Sequence, residues 1–204
     1  METDITYRYP DGTVRALLKT DQVTAATRRV LTERLTSPAR QPTFFTTAEF
    51  DLLRRICDRL VPQTDRTDPI DIAGGIDERL TQNKSNGWRY DVMPNDRDAY
   101  RKGLAGVDES SLMMFGEPFK SLTDEKQDQV LSAVQRIEAP GEIWSKLPAE
   151  RFFEELLAEA VETYYSHPMA QEEIGYVGMA DVPTWQRIGL NNLEKREPKP
   201  FTNR

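Results

Sequence analysis

The sequence predicts an all-α protein: an irregular bundle of about six to eight helices, with a short N-terminal hairpin and an extended C-terminal tail. Apolar residues recur at three- and four-residue spacing through most of the chain, as on one face of a helix. Capping residues, glycines and prolines bound these segments. No convincing pattern for a long strand accompanies them.

The first nineteen residues differ from the remainder and predict an N-terminal hairpin. Thr6–Tyr9 and Thr13–Leu17 alternate in polarity and flank Pro10-Asp11-Gly12, which has turn chemistry. We expect this arm at residues 1–19, one helical domain at residues 20–193, and a tail at residues 194–204. The tail is charged and proline-containing, so it should be extended without a core of its own.

Two helices are predicted next. Thr20 or Asp21 can cap a helix that runs to about Leu35 and buries Val23, Val30 and Leu31. After a proline-bounded linker, Thr46 and Glu49 have the spacing of a capping box, and the helix that they open should end at Pro62. Its apolar stripe contains Phe50, Leu53, Ile56 and Leu60, with Cys57 beside it. This cysteine is best interpreted as a buried, inert thiol.

The middle of the chain predicts several further helices. One spans about residues 71–82, with Ile72, Ile76 and Leu80 at four-residue spacing. Another spans about residues 95–107, where Gly103 and Gly106 weaken the helix but permit close packing. A short helix follows at residues 110–115. Thr123 then caps a helix that ends before Pro140-Gly141 and whose buried stripe is Val130, Leu131, Val134 and Ile137.

The most informative segment is Arg151 to Gly178. It begins as an amphipathic helix whose apolar face holds Phe152, Phe153, Leu156, Leu157, Ala160, Val161 and Tyr164. This helix should end near His167, because a residue before proline is disfavoured in the helical region. An aromatic, glycine-punctuated stretch follows, and Pro183 can start a last short helix that carries Trp185.

Composition excludes several classes of function. The net charge of −7 and the pI of about 5.0 argue against a nucleic-acid partner. No segment approaches the ~20 apolar residues of a membrane span. One cysteine and one histidine exclude an internal disulfide and c-type haem attachment, and leave too few ligands for a cluster or a structural zinc site. Asp65, Asp68 and Asp71 lack calcium-loop spacing and are better interpreted as turn and cap residues.

The pattern Tyr164-Tyr165-Ser166-His167-Pro168, followed by Glu173-Ile174-Gly175-Tyr176 and Gly178, resembles the C-terminal signature of the gluconate 2-dehydrogenase subunit 3 family. The resemblance continues from about Thr46 to about Trp185. It includes the helix that ends at Pro62 and a segment in which the Ile76-Asp77 pair opens a helix.

The resemblance implies a non-catalytic small subunit that binds and stabilises a larger flavoprotein of the glucose-methanol-choline type. That partner would hold FAD and oxidise a sugar or alcohol, and a cytochrome c subunit is a further potential component. No cofactor, metal or catalytic residue is expected in this chain, which lacks a dinucleotide-binding fingerprint. The expected partner interface is Tyr164, Tyr165, His167, Pro168, Glu173, Ile174, Gly175, Tyr176, Gly178 and Trp185.

Two alternatives remain open at this point. His167 with Glu172 or Glu173 could form an acid–base pair in a small stand-alone enzyme, or the chain could be a cytosolic helical adaptor or chaperone. The compartment is expected to be the cytoplasm, since no signal peptide is visible. Arg28-Arg29 is followed by Thr32-Glu33-Arg34 rather than an apolar run, so it does not resemble an export signal. Export to the periplasm together with a partner is the alternative.

Overall fold

The computed structural model describes residues 7–8, 12–64, 66–85, 92–177, 189–190, 192–194, 196–199 and 201–202. Within these residues the chain forms eight α-helices and one two-stranded ribbon, which confirms the all-α prediction. The helices are α1 (Thr13–Leu17), α2 (Ala25–Thr36), α3 (Thr47–Leu60), α4 (Ile72–Thr81), α5 (Asp96–Phe115), α6 (Asp124–Gln135), α7 (Ala149–Tyr165) and α8 (Pro168–Glu173). The strands are β1 (Tyr7–Arg8) and β2 (Phe201–Thr202).

The chain divides into two compact units. The first comprises residues 1–38 and 164–204, and the second comprises residues 39–163. The predicted boundaries at residues 19/20 and 193/194 stay a prediction.

The first unit is built from α1, α2 and α8, and the predicted N-terminal hairpin is wrong. Thr13–Leu17 is a helix, and β1 pairs in antiparallel fashion with β2 from the C-terminal tail. Gly12 has a φ of 80°, in the left-handed region, and so turns the chain directly into α1. The core of this unit contains Val14, Leu18, Val23, Leu31 and Val177. The alternation of polarity in Thr13–Leu17 favoured a strand. The helix forms instead because the Glu172 carboxylate caps its N-terminus.

Helix α2 begins later than predicted. Thr24, not Thr20 or Asp21, is its N-cap, and its hydroxyl accepts a hydrogen bond from the Thr27 amide. The Thr20 hydroxyl instead donates to the Leu17 carbonyl after α1, a distance of 2.8 Å. Val23 is buried as expected, although it precedes the helix, whereas Val30 is 37% exposed.

The second unit begins with α3, whose predicted capping box is confirmed. The Thr46 hydroxyl accepts from the Glu49 amide, and the Glu49 carboxylate accepts from the Thr46 amide at 2.8 Å. Helix α4 packs against α3. The buried carboxylate of Asp77 on α4 also binds the segment that precedes α3. It accepts hydrogen bonds from the backbone amides of Thr43, Phe44 and Phe45. Burial disfavours its ionisation, but these amides outweigh burial and lower the pKa of Asp77.

Helix α5 is one continuous helix of 20 residues, so the prediction of two helices separated near residue 108 is wrong. Its glycines allow close packing, as expected. A Cβ on Gly103 would lie 2.1 Å from the Phe152 ring, and one on Gly106 would lie 2.7 Å from the Trp144 ring. The Trp144 indole also donates to the Ser110 hydroxyl at 2.8 Å. Aromatic packing against the glycine face offsets the helix propensity that glycine loses.

Helix α6 ends at Gln135, earlier than the apolar pattern indicated. Val130, Leu131 and Val134 are buried as predicted, but Ile137 is 69% exposed, so its assignment to the buried stripe is wrong. The chain leaves the helix through Ile137, whose φ is 62°. Thr123 is the N-cap residue, although its side chain makes no capping hydrogen bond.

Candidate functional site

The segment that carries the C-terminal signature folds as the end of α7, a tight connection and the short helix α8. His167 is the N-cap of α8, and Pro168 takes the first helical position, where its missing amide hydrogen costs nothing. The Nδ1 atom of His167 accepts from the Met169 amide at 3.3 Å. Its Nε2 lies 2.9 Å from the Arg34 carbonyl, which can only accept, so Nε2 carries the hydrogen. His167 therefore links the C-terminal end of α2 to the start of α8.

Glu172 on α8 holds the N-terminus of α1. Its carboxylate accepts from the backbone amides of Gly12 at 2.7 Å and Arg15 at 3.0 Å, and from the Arg15 guanidinium at 2.9 Å. Glycine has no side chain to cap a helix, so Glu172 supplies this cap from 160 residues away. Burial raises the cost of its charge, but these donors outweigh burial and lower the pKa of Glu172. Sequence reasoning considered Glu172 only as a partner of His167.

The predicted interface residues divide by exposure. Tyr165, Ile174 and Tyr176 are 41%, 49% and 48% exposed. We call these three residues the α8 surface. Glu173 is also exposed, His167 and Gly175 are half-buried, and Tyr164 and Pro168 are buried. Gly178 and Trp185 lie outside the described residues.

The buried Tyr164 contacts two exposed residues of the signature, Tyr165 and Glu173. The Tyr164 ring meets the Tyr165 ring edge to face, with centroids 5.0 Å apart. The Tyr164 hydroxyl donates to the Glu173 carboxylate at 2.8 Å. Gly175 has a φ of 65°, which a residue with a side chain rarely adopts, and it turns the chain after α8. The signature thus positions Ile174 and Tyr176 on either side of a turn.

These contacts define the roles that the described geometry gives to His167, Glu172 and Glu173. His167 caps α8, Glu172 caps α1, and Glu173 accepts from Tyr164. The bonds of Glu172 and Glu173 join α8 to α1 and α7, and the bond from His167 to the Arg34 carbonyl joins the start of α8 to α2. The interpretation of His167 as an acid–base catalyst stays a hypothesis without a geometric argument in its favour.

A second polar cluster lies in the second unit, and sequence reasoning missed it. The guanidinium of Arg79 on α4 pairs with both carboxylate oxygens of Glu159 on α7 and with Asp96 at the start of α5. The Tyr100 hydroxyl also donates to Glu159. Burial and the adjacent Glu159 carboxylate raise the pKa of Tyr100 well above its ordinary value. Three separate helices, α4, α5 and α7, meet here, and no local motif joins them.

This cluster lines a cavity of about 50 Å³. Met93, Ala99 and Phe152 give the cavity apolar walls, and Glu155 and Glu162 add two further carboxylates. Burial, together with Asp96 and Glu159, raises the pKa of Glu155.

The remaining candidates have structural roles. Asp71 caps α4 by accepting from the Gly74 amide, and it also accepts from the Arg40 amide. Asp65 lies outside the described residues. Cys57 is buried, and burial raises its pKa far above that of a reactive thiol. Within the described part of the chain, no group of three or more histidine, cysteine, aspartate or glutamate side chains is arranged to hold a metal ion. No described helix combines the length and apolarity needed to cross a bilayer.

The described residues therefore define an all-α protein in which Tyr165 before α8, and Ile174 and Tyr176 after it, are exposed. The chain belongs to the gluconate 2-dehydrogenase subunit 3 family, since the family model matches residues 47–183, more than half of its length. This confirms the resemblance seen from Thr46 to Trp185. Neither a search of curated proteins nor a search of solved structures found a significant match. The family name identifies the chain as a subunit of a dehydrogenase complex.

Proposed function

We propose that this chain is a non-catalytic small subunit that binds and stabilises the FAD-dependent catalytic subunit of a sugar or alcohol dehydrogenase of the glucose-methanol-choline type. The observation that carries the proposal is the family match over residues 47–183. A family named as a subunit implies a larger assembly. In this proposal the partner binds FAD and substrate and carries out the oxidation.

The fold agrees with placing FAD in the partner. Rossmann-type dinucleotide sites need a parallel βαβ unit with a glycine-rich turn. The described residues supply helices and one two-residue antiparallel ribbon instead. In this proposal the electrons pass from the flavin to an acceptor outside this chain, and a cytochrome c subunit is one such acceptor.

The α8 surface is the proposed contact region. Tyrosines are enriched at interfaces because they bury a large area while keeping a polar tip, and both tyrosines here are more than 40% exposed. Ile174 lies between them in sequence and adds an aliphatic side chain at similar exposure. An obligate complex buries more than ~2,000 Å² in total, so in this proposal the α8 surface is one part of a larger interface.

Co-expression with a candidate flavoprotein of the glucose-methanol-choline type from the same genome tests the proposal. We expect a stable yellow complex on size exclusion and loss of soluble flavoprotein when this chain is omitted. Ile174→Ala with Tyr176→Ala should weaken association at least tenfold, as for interface anchors. Met113→Ala is the control, because Met113 is 63% exposed but belongs to the second unit.

A failure to form any complex, or turnover of sugars by this chain alone, would refute the proposal. Transient binding followed by release of the folded flavoprotein would favour the adaptor or chaperone alternative. Fractionation of the same cells addresses the compartment, which in this proposal is the cytoplasm unless the partner carries this chain into the periplasm.

A further inference from the structure

The segment from Glu172 to Val177 connects α1 to the α8 surface. Glu172 and Val177 are buried, with exposures of 5% and 2%, whereas Ile174 and Tyr176 between them are 49% and 48% exposed. Both buried residues contact α1, because Glu172 caps it and Val177 shares a hydrophobic core with Val14. The residues that hold α1 therefore alternate with residues of the α8 surface along one short segment.

Neither α1 nor α8 is long enough to be stable by itself. They contain five and six residues, and isolated helices shorter than ~12–15 residues are marginal in water. The N-cap of α1 is Gly12, which offers no side-chain acceptor, so the carboxylate of Glu172 takes that role. Each helix thus takes its position from its neighbours, and α1 and α8 pack against each other.

The two ends of α1 are held by different helices. At the N-terminal end, Glu172 on α8 accepts from the Gly12 amide at 2.7 Å. Beyond the C-terminal end, Arg28 on α2 donates to the carbonyls of Leu18 at 2.6 Å and Thr20 at 2.7 Å. Loss of the Glu172 contact would release the end of α1 that lies against α8, while Arg28 still holds the other end.

The turn after α8 is fixed by backbone hydrogen bonds whose acceptors are Glu172 and the residue before it. The Gly175 amide donates to the Glu172 carbonyl at 3.1 Å, and the Tyr176 amide donates to the Gln171 carbonyl at 2.9 Å. A shift of Glu172 would move these acceptors. The contact with α1 therefore bears directly on how Ile174 and Tyr176 are oriented.

We propose that Glu172 is a positioning residue for the partner interface: by docking α1 against α8, it holds Ile174 and Tyr176 in the arrangement that the catalytic subunit binds. The identity of the partner rests on the proposed function, but the coupling between α1 and the turn after α8 does not. Because a coupling free energy is reciprocal, binding of the partner also stabilises the docked position of α1.

The isolated chain is tested first, by hydrogen exchange followed by NMR. Glu172→Gln keeps the shape of the side chain but removes its charge, and it should speed exchange of the Gly175 and Tyr176 amides at least fivefold. Glu172→Asp keeps the charge on a shorter side chain and should have an intermediate effect. Glu33→Gln is the matched control, because Glu33 lies in the same unit with a side chain that is 67% exposed.

Circular dichroism establishes that each variant is folded. Unchanged exchange of both amides in folded Glu172→Gln would overturn the coupling. If Glu172→Gln does not fold, Glu172→Asp decides by the same criterion.

The assembled complex is tested second. Glu172→Gln should raise the Kd for the catalytic subunit at least tenfold, and partner binding should slow exchange in α1. In a chain that already carries Ile174→Ala and Tyr176→Ala, the same change should raise the Kd less than about threefold, because residues that act through one another are not additive. A purely structural role would lower the unfolding temperature without changing the Kd of the folded chain.

An unchanged Kd for Glu172→Gln, or a fully additive effect with the two alanine substitutions, would overturn the positioning role. Absence of any complex with the unsubstituted chain would refute the proposed function. The exchange rates of Gly175 and Tyr176 in the isolated chain would then still decide whether Glu172 couples α1 to the turn after α8.

Discussion

Ile137 combines a β-branched side chain, 69% exposure and a φ of 62° directly after α6. The left-handed region costs a residue with a Cβ about 1–2 kcal/mol, and branching adds to that cost. The side chain of Ile137 is mostly exposed, so its burial offsets little of this backbone cost. We therefore expect Ile137→Gly to raise the free energy of unfolding by about 1 kcal/mol, measured by urea denaturation.

The neighbouring position provides the control for Ile137. Arg136 has a φ of −91°, which any residue adopts, so Arg136→Gly should be neutral or destabilising. A lower stability for Ile137→Gly than for the unsubstituted chain would mean that the isoleucine makes contacts that offset its backbone strain.

Glu172 is the residue on which the N-terminal helix depends. Glu172→Gln removes the charge that accepts from Gly12 and Arg15, and we expect a loss of about 2 kcal/mol in the first unit. Hydrogen exchange should rise in α1 before it rises elsewhere. Glu33→Gln is the control, because the Glu33 side chain is 67% exposed.

The pH dependence of this contact follows from the lowered pKa of Glu172. The folded chain holds the proton less tightly than the unfolded chain, so the contact contributes fully above the ordinary value of 4.5. The contribution is lost as the pH falls through the lower, folded-state pKa. Unchanged exchange in α1 between pH 7 and pH 3 would contradict this role.

At the scale of elements, the packing of α5 against α7 depends on a glycine. A Cβ at Gly103 would overlap the Phe152 ring, and Phe152 is only 1% exposed, so it has little room to move. We expect Gly103→Ala to destabilise the chain by about 1–3 kcal/mol through overpacking, despite the better helix propensity of alanine. Thermal unfolding checks this result.

Lys102→Ala is the control for the element prediction, since Lys102 is exposed on the same helix. It should leave the unfolding temperature within the error of the measurement. Stabilisation by Gly103→Ala would indicate that propensity outweighs packing at this contact.

At the scale of the whole molecule, substitution of His167 distinguishes a supporting role of this chain from a catalytic one. His167→Ala removes the cap of α8 and the bond to the Arg34 carbonyl, so it should weaken assembly with the flavoprotein and increase exchange in α8. Flavin reduction in the purified, fully assembled variant complex should stay within a fewfold of normal. The measurement is stopped-flow absorbance with saturating substrate.

The assay also defines the opposite outcome. If the variant complex assembles normally but flavin reduction falls by several orders of magnitude, His167 takes part in the chemistry and the supporting role is wrong. Asparagine can replace histidine as an N-cap, so His167→Asn should restore assembly more fully than alanine does.

Several elements could be predicted because their determinants are local. Thr46 and Glu49 form a capping box within one turn, and the apolar spacing of α3 defines its buried face. In α7 the spacing also identifies buried residues such as Phe152 and Leu156, but Val161 on the predicted face is 37% exposed. Gly103 and Gly106 indicated close packing without indicating against which ring. The family signature likewise marked the segment in which Tyr165, Ile174 and Tyr176 are exposed.

The incorrect predictions share a different cause. Thr13–Leu17 alternates like a strand but is a helix, because Glu172 caps it from 160 residues away. Ile137 continues the apolar period of α6, but the helix ends two residues before it. The cavity next to Arg79 and Glu159 joins α4, α5 and α7. A pattern within one element contains no information about such contacts.

The sequence by itself determined the helical class, the capping box and apolar face of α3, and the family. These features depend on residues within a few positions of one another, where spacing and side-chain chemistry are sufficient. Only the tertiary structure decided that α1 is a helix, that β1 pairs with β2, and that the described carboxylates of α5 and α7 line a cavity with Arg79 of α4. Those outcomes depend on groups that are far apart in the chain, because hydrogen bonding and charge act between neighbours in space.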